Sequence, residues 1–552
     1  MPIYEKFIGM NRDDCKSLDE LRKNYKLTYE DNFNFAYDVI DVIAEENPDK
    51  TALVWVGADD SEKVISFGEM KEYSNKAANY LSSLGIKKGD FVLLVLKRSY
   101  IFWYTVMALH KIGAVAVPAT HLLLKKDYVY RCNAAGIKMA IITGDGDCAE
   151  NFGDSQTECP TVEIKAITKR EKDGWLSFEK GVEAASGEWE RVETKASDTM
   201  LVAFSSGTTG YPKMVTHDFT YPLGHLATGI FWHRVVDGGL HFTISDTGWL
   251  KALWGKMYGQ WLGETANFVY DFDRFKGADI LEKLQKYKVT TFCAPPTMYR
   301  FMLLEDVSSY DLSSIKHCCT AGEALNQDIF NKWKELTGLS IYEGFGQSET
   351  TVCCGVLYPY SNPKPGAMGL PVPGYDIFIS DEDGKERAAG VSGEICIRAK
   401  ERRPEGLHVG YYKNTEATEA CFHGGIYHTG DIAYRDEHGY FWYVGRNDDI
   451  IKSSGYRIGP FEVESVIVEH PAVLEVAVTG VPDPVRGFNV KATIVLKNSY
   501  TASDELSQEI QSYVKKHTAP YKYPRVVEFV PELPKTISGK IRRAQIRKDD
   551  SK

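Results

Sequence analysis

No stretch of this sequence approaches the ~18–20 consecutive apolar residues that a membrane span needs; the best run, Ile101 to Leu109, stops at His110 and Lys111. No membrane span is expected. An excess of basic charge is also missing: 65 lysines and arginines face 76 acidic residues, a net charge of −11. That balance disfavours a nucleic-acid or anionic-membrane binder, while a local basic pocket stays open. The opening MPIYEKFIGMNRDDCK lacks a basic stretch leading into an apolar core, so neither a secretory signal nor a transit peptide is read and a cytoplasmic protein is expected. The 11 cysteines contain no CxxC pair, which points to reduced, buried thiols. No solenoid period or low-complexity tract is visible.

What is present is the composition of a folded, multi-domain protein: 552 residues, 43% hydrophobic and 26% charged, against ~100–200 residues per domain. Ser66 and Glu69 form a capping-box pattern, and Met70, Tyr73, Ala77, Tyr80 and Leu84 recur on one helical face before Gly85. The apolar run Phe91 to Leu96, the segment from Ile101 to Leu109 and the β-like run Ala114 to Pro118 follow, and the alternation returns at Ile280–Tyr287 and Thr290–Ala294. This is α/β texture with largely buried parallel strands. From about Asp376 short β-like runs separated by Asp-Gly, Gly-Gly and His-Gly turns give a β-rich subdomain. Past GRNDDIIKSSGYRIGP, a helix, two strands, a helix and a strand make a compact α+β unit. The expected division is a large domain over 1–446 and a small mobile domain over 447–552.

The segment Phe204-Ser205-Ser206-Gly207-Thr208-Thr209-Gly210-Tyr211-Pro212-Lys213 follows an apolar strand. Its glycines let backbone N–H groups close on an anion, while four hydroxyls and Lys213 add donors and charge, which suits a polyphosphate. The spacing GxxxxGK[ST] is absent, since Met214 follows the lysine, so this is not a Walker A loop.

The segment resembles the phosphate-binding signature of the adenylate-forming superfamily, which includes acyl-CoA synthetases, luciferases and the adenylation domains of peptide synthetases. The superfamily's other signatures occur in order: Ala321-Gly322-Glu323, Tyr342 to Glu349, Gly366 to Pro373, Tyr427 to Asp431, Gly445 to Asp449, and Pro534 to Lys540. SDTGWLKALWG (Ser245 to Gly255) and TAPYKYPR (Thr518 to Arg525) resemble the medium-chain acyl-CoA synthetase branch.

Condensing a carboxylate with the α-phosphate of ATP gathers negative charge on oxygen, so the chemistry needs Mg²⁺ and cationic side chains under close geometric control. Glu349 is an oxygen ligand suited to Mg²⁺, and Ser348 a hydroxyl for a phosphate oxygen, where the family usually has threonine. The resemblance implies that Gly322, Glu323, Ala324, Glu343, Gly344, Phe345, Gly346 and Gln347 border the adenine, with Phe345 offering an aromatic face and the glycines letting backbone approach the base. It implies Asp431 and Arg446 for the ribose, Arg457 for the adenylate phosphate, and Lys540 as the catalytic cation. Asp448 matches the hinge about which the small domain turns between half-reactions. Ser454, Gly455 and Tyr456 would line the pantetheine path, with Arg486 and Arg525 as candidates for CoA phosphates; Phe488-Asn489 departs from the glutamate many relatives carry there.

Acetate-activating relatives have tryptophan where this chain has Gly346, which implies a deeper acyl pocket here. Trp249, Trp254 and Trp261 are candidates for its walls, with Lys251 nearby. A linear C4–C8 acid, a branched acid and an aryl acid all remain open. The expected activity is acyl-AMP formation from a medium-chain or branched acid and ATP with Mg²⁺, then transfer to CoA. No nucleophilic side chain is required, so Cys293, Cys318 and Cys319 are read as structural. Two rivals are an acyl-AMP ligase that serves a carrier protein and a non-catalytic nucleotide sensor. Oligomeric state is open, a homodimer included.

Overall fold

The structure is a computed structural model describing residues 2–205, 212–323, 325–454, 456–535 and 541–550. Two compact units are present. The described residues of the first come from 2–205, 213–376 and 399–420, and those of the second from 212, 377–398 and 421–550.

The first unit is α/β, and the local signals explain why. Ser66 Oγ accepts from the Glu69 N–H while the Glu69 carboxylate accepts from the Ser66 N–H, starting the helix Phe67–Ser83. The strands Phe91–Val95, Val115–Pro118 and Met139–Thr143 are buried at every position, as parallel strands covered on both faces are. One sheet runs Gly410–Tyr411, Lys213–Asp218, Thr199–Ser205, Val115–Pro118, Phe91–Val95, Met139–Thr143, Ile164–Thr168, Leu176–Ser177. Its last six strands are parallel, and Lys213–Asp218 returns antiparallel, with Ser205 opposite Lys213.

In the other sheet of this unit, Ile341–Phe345, His317–Ala321, Thr291–Cys293, Leu240–Thr243, Ala266–Asp271 and Thr51–Gly57 lie side by side and parallel. Its core packs Phe242, Phe268, Phe292, Tyr299 and Trp333. The segment Ile101 to Leu109 is part of the helix Ile101–Ile112, buried all round, so its even hydrophobicity reflects a central helix.

The second unit carries a meander of Ile377–Ser380, Gly393–Arg398, Ile426–Arg435 and Phe441–Arg446, all antiparallel. It also carries a sheet of Tyr456–Ile458, Ile451–Ser453, Gly487–Leu496 and Val473–Asp483, with Val526–Phe529 added parallel to Gly487–Leu496. The helices Pro460–Ile467 and Asp504–His517 cover that sheet through Val463, Ile467, Leu506, Ile510 and Val514. A last helix, Arg543–Asp550, is pinned by charge: Arg543 grips both Glu464 oxygens at 2.7 Å, and Arg547 reaches Asp449 at 2.5 Å. No helix among the described residues is long and apolar enough to cross a membrane. Among the described residues the cysteines form no disulfide, and all but Cys421 are buried.

Candidate active site

In the first unit, antiparallel pairing gathers residues far apart in sequence. Tyr411 lies opposite Val215 in the ladder. From there its hydroxyl donates to Glu349 Oε1 at 2.9 Å, and its ring lies 4.8 Å from the Lys213 ammonium. Tyr411 thus ties a cation of the segment expected to bind phosphate to the carboxylate expected to hold Mg²⁺. His217, buried on the same strand as Lys213, has Nε2 2.8 Å from the Ser348 carbonyl oxygen, and the His408 N–H donates to the Glu349 carbonyl at 2.7 Å. The backbone of Ser348-Glu349 is therefore fixed from two sides. Ser205 donates to the Lys213 carbonyl at 3.3 Å.

The segment expected to border the adenine is built around Trp232. Its indole N–H donates to the Glu343 carbonyl at 3.1 Å, and a Cβ on Gly344 would come within 2.6 Å of the indole. Packing against Trp232 therefore leaves no room for a side chain at Gly344. The Glu343 carboxyl, 6% exposed, brackets two loops by accepting from the Leu325 and Gly366 N–H groups at 3.0 and 2.8 Å. Phe345 is half-buried, its carbonyl accepting from Cys353, and the Gln347 N–H donates to Thr350 Oγ1. Glu323 is exposed and accepts from the Thr297 hydroxyl. Gly322 has φ +102°, a conformation glycine tolerates.

Glu343 has a thermodynamic signature. Burial pushes its carboxyl from 4.5 up to about 8, opposed by the Leu325 and Gly366 N–H groups. The native state then keeps a proton that the unfolded chain has lost, so this contribution to stability is lost as pH rises from about 4.5 through about 8. Glu343→Gln is expected to flatten the fall in melting temperature across that window. It should also lower melting overall, because an amide offers one acceptor oxygen to two N–H donors. Equal slopes in both proteins, followed by calorimetry, would refute this account.

Of the acyl-pocket candidates, Trp254 is 7% exposed and presses on Gly346: a Cβ there would meet the Trp254 ring at 2.4 Å and the Thr351 carbonyl at 2.2 Å. Gly346 thus opens less space than its sequence position suggests, because an indole from the helix Leu250–Gly255 fills it. Trp249 is half-buried just before that helix. Lys251 donates to the Ala321 carbonyl at 2.6 Å, which ties it to the adenine segment. Trp261 is fully buried with its indole N–H on the Ala52 carbonyl, and serves the core.

In the second unit Asp431, 4% exposed, sits opposite Arg446 in the ladder, with the guanidinium 3.6 Å away and the Tyr443 hydroxyl donating at 3.2 Å. Arg446 also lies 3.9 Å from Asp448. Arg486 donates to Ser454 Oγ at 3.1 Å, and Ser454 takes φ +50°. Tyr456 stacks on Tyr521 at 4.0 Å, and Arg525 covers the Tyr523 ring at 4.7 Å. Arg457 is placed by its backbone, opposite Lys452. Ser206, Gly207, Thr208, Thr209, Gly210, Ala324, Gly455 and Lys540 lie outside the described residues.

Tyr411, His217, Trp232 and Tyr443 were not foreseen. Each lies outside the short motifs or acts through a strand pairing or packing contact that local sequence does not encode.

Residues 40–412 match the family described as AMP-binding enzyme, and residues 462–540 match the AMP-binding enzyme C-terminal domain. The chain is 43% identical over 528 residues to the mitochondrial acyl-coenzyme A synthetase ACSM5 of Rattus norvegicus, covering 94% of this chain and 91% of that protein. It is 39% identical over 558 residues to mitochondrial ACSM3 of Mus musculus, covering 99% and 96%. Among solved structures, an anthranilate CoA ligase in complex with anthranoyl-AMP aligns with TM-score 0.87 at 29% identity, over 95% of this chain and 98% of that one. A benzoate CoA ligase from Burkholderia xenovorans aligns with TM-score 0.81 at 27% identity, over 93% and 100%. The expectation of a cytoplasmic protein is overturned by these relatives, whose names place them in mitochondria.

Proposed function

The chain belongs to the AMP-binding enzyme family, and from that premise we propose how its residues divide the chemistry of acid activation. It is an AMP-forming acyl-CoA synthetase, an ATP-dependent acid–thiol ligase that uses Mg²⁺. A carboxylate oxygen attacks the α-phosphorus of ATP and pyrophosphate leaves. The CoA sulfur then attacks the acyl carbon and AMP leaves.

The observation that carries the assignment is the Lys213–Tyr411–Glu349 constellation above Ser348. Glu349, a hard oxygen donor, fits Mg²⁺ and would hold it; when bound, the ion neutralises phosphate charge. Lys213 and the Ser348 hydroxyl hold phosphate oxygens. Phe345 offers its ring to the adenine, and Asp431, kept in place by Tyr443, accepts from the ribose hydroxyls with Arg446 beside it. Arg457 meets the adenylate phosphate, and Lys540 supplies the cation of the first half-reaction. Residues 447–552 act as the mobile domain, turning about Asp448, while Ser454 to Tyr456, Arg486 and Arg525 guide CoA. The relatives' names support a mitochondrial location.

The acid is proposed to be medium-length or branched. The test is to incubate the protein with ATP, Mg²⁺ and a panel of C2–C12, branched and aryl acids, with and without CoA, and identify products by mass spectrometry. Thioester and AMP with a C4–C8 or branched optimum are expected. Acyl-AMP persisting in the presence of CoA would favour a carrier-protein ligase, and no turnover would favour a sensor. Because Trp254 fills the space beside Gly346, Trp254→Ala is expected to move the kcat/KM optimum toward longer acids, a methylene in an apolar pocket being worth about 1–3 kcal/mol. An unchanged chain-length profile would remove Trp254 from the pocket wall.

A further inference from the structure

Among the described residues, one group brings three different metal-ligand types together: Glu394, Cys396 and His428, whose donor atoms all lie within 4.8 Å of one another. Cys396 and His428 face each other across the strands Gly393–Arg398 and Ile426–Arg435. Glu394 joins them because the register shifts between Glu394 and Cys396, the kind of irregularity that re-aims a side chain. His428 Nδ1 is 3.0 Å from Glu394 Oε2 and 3.5 Å from Cys396 Sγ.

We propose that Glu394, Cys396 and His428 form a binding site for a thiolate-seeking divalent cation, with Zn²⁺ the preferred ion. Zinc takes carboxylate, thiolate and imidazole donors at ~2.0–2.3 Å in a tetrahedron, whose edges are then roughly 3.3–3.8 Å. The sulfur–nitrogen separation already matches such an edge, and the nitrogen–oxygen separation needs to open by a few tenths of an ångström. A cation of the Mg²⁺ kind, which demands six oxygens, is excluded by the donor set. Binding forms the metal–sulfur bond as the thiol proton leaves to solvent, and the neutral imidazole carries its proton on Nε2 so that Nδ1 can coordinate. The shell beyond is in place: the Gly430 N–H donates to Glu394 Oε1 at 2.8 Å and orients the carboxylate. Water completes the coordination, and the exposed imidazole of His423, stacked on His428 at 3.8 Å, stands beside the site.

The test is a Co²⁺ titration of the metal-stripped, full-length protein in excess Mg²⁺. One equivalent should bind with a near-ultraviolet thiolate-to-cobalt charge-transfer band and visible bands of tetrahedral intensity, and one equivalent of Zn²⁺ should displace it. Cys396→Ser should remove the charge-transfer band while leaving acid-dependent AMP formation unchanged. Glu394→Gln, which retains the thiol, should weaken Co²⁺ binding at least about tenfold. No band in the wild-type protein, or a band that survives Cys396→Ser, would overturn the site. Should Cys396→Ser fail to fold, undiminished Co²⁺ affinity in Glu394→Gln would do so.

Discussion

Lys540→Ala is expected to abolish acid-dependent pyrophosphate release while leaving ATP binding largely intact. The described residues on either side are anchored: Lys535 pairs with Ile541 in an antiparallel bridge. Lys535 also reaches both Glu475 oxygens, at 2.7 and 2.9 Å, and Arg543 and Arg547 clamp the helix that follows to Glu464 and Asp449. A cation set against the negative charge that develops on the α-phosphate is worth roughly 10²–10³-fold in rate. The anchors lie outside the substitution, so the fold should survive. Supplied with synthetic acyl-AMP, the variant should still form thioester from CoA, because the cation is needed only while charge builds on the α-phosphate. Pyrophosphate release at the wild-type rate would remove Lys540 from this role. Loss of both half-reactions would show instead that the segment itself had been damaged.

The parts of this protein that were legible in its sequence are those specified by neighbours in the chain. The capping box at Ser66 and Glu69 forms as the spacing predicts, and the buried strand at Phe91–Val95 follows from an unbroken apolar run. The glycines were harder. The sequence reads Gly344 and Gly346 as openings for a base or an acid; it does not reveal that Trp232 and Trp254 lie close enough to exclude any side chain there. A glycine facing a ligand and a glycine facing an indole look identical in one sequence, because the difference lies in the partner strand or helix. Glu343 shows the same limit. Its neighbours suggest a nucleotide contact but not that its carboxyl brackets Leu325 and Gly366, residues that approach only after the sheet has formed. The Ile101 to Leu109 run gives its apolar character away but not its helical state, since burial on every side erases the periodicity that separates helix from strand.

Glu349→Gln should lower kcat for acid-dependent AMP formation by roughly 10²–10³-fold, with a raised Mg²⁺ requirement, the scale expected when one preorganised charge interaction is lost. The substitution separates charge from structure. An amide oxygen can still accept the hydrogen bond that Tyr411 donates at 2.9 Å, and the His408 N–H bonds the backbone carbonyl of residue 349, which is untouched. What disappears is the negative charge, and with it the strongest attraction for a hard divalent cation. Tyr411→Phe makes the reciprocal change: it keeps the carboxylate and the ring beside Lys213 while deleting one hydrogen bond, typically worth about 0.5–1.5 kcal/mol, or up to about 3 when the acceptor is charged. Its effect should therefore be far smaller than that of Glu349→Gln, and it should fall on the position of the carboxylate rather than on its charge. Titrating Mg²⁺ at fixed ATP tells the two apart. Glu349→Gln should need more Mg²⁺ and still fail to reach the wild-type rate at saturation, since a weaker ligand shifts the curve and a lost charge lowers its plateau. If both variants lose activity equally, Tyr411 and Glu349 act as one structural unit and the carboxylate is not the ligand; if Glu349→Gln stays within a few-fold of wild type at every Mg²⁺ concentration, the metal is held elsewhere.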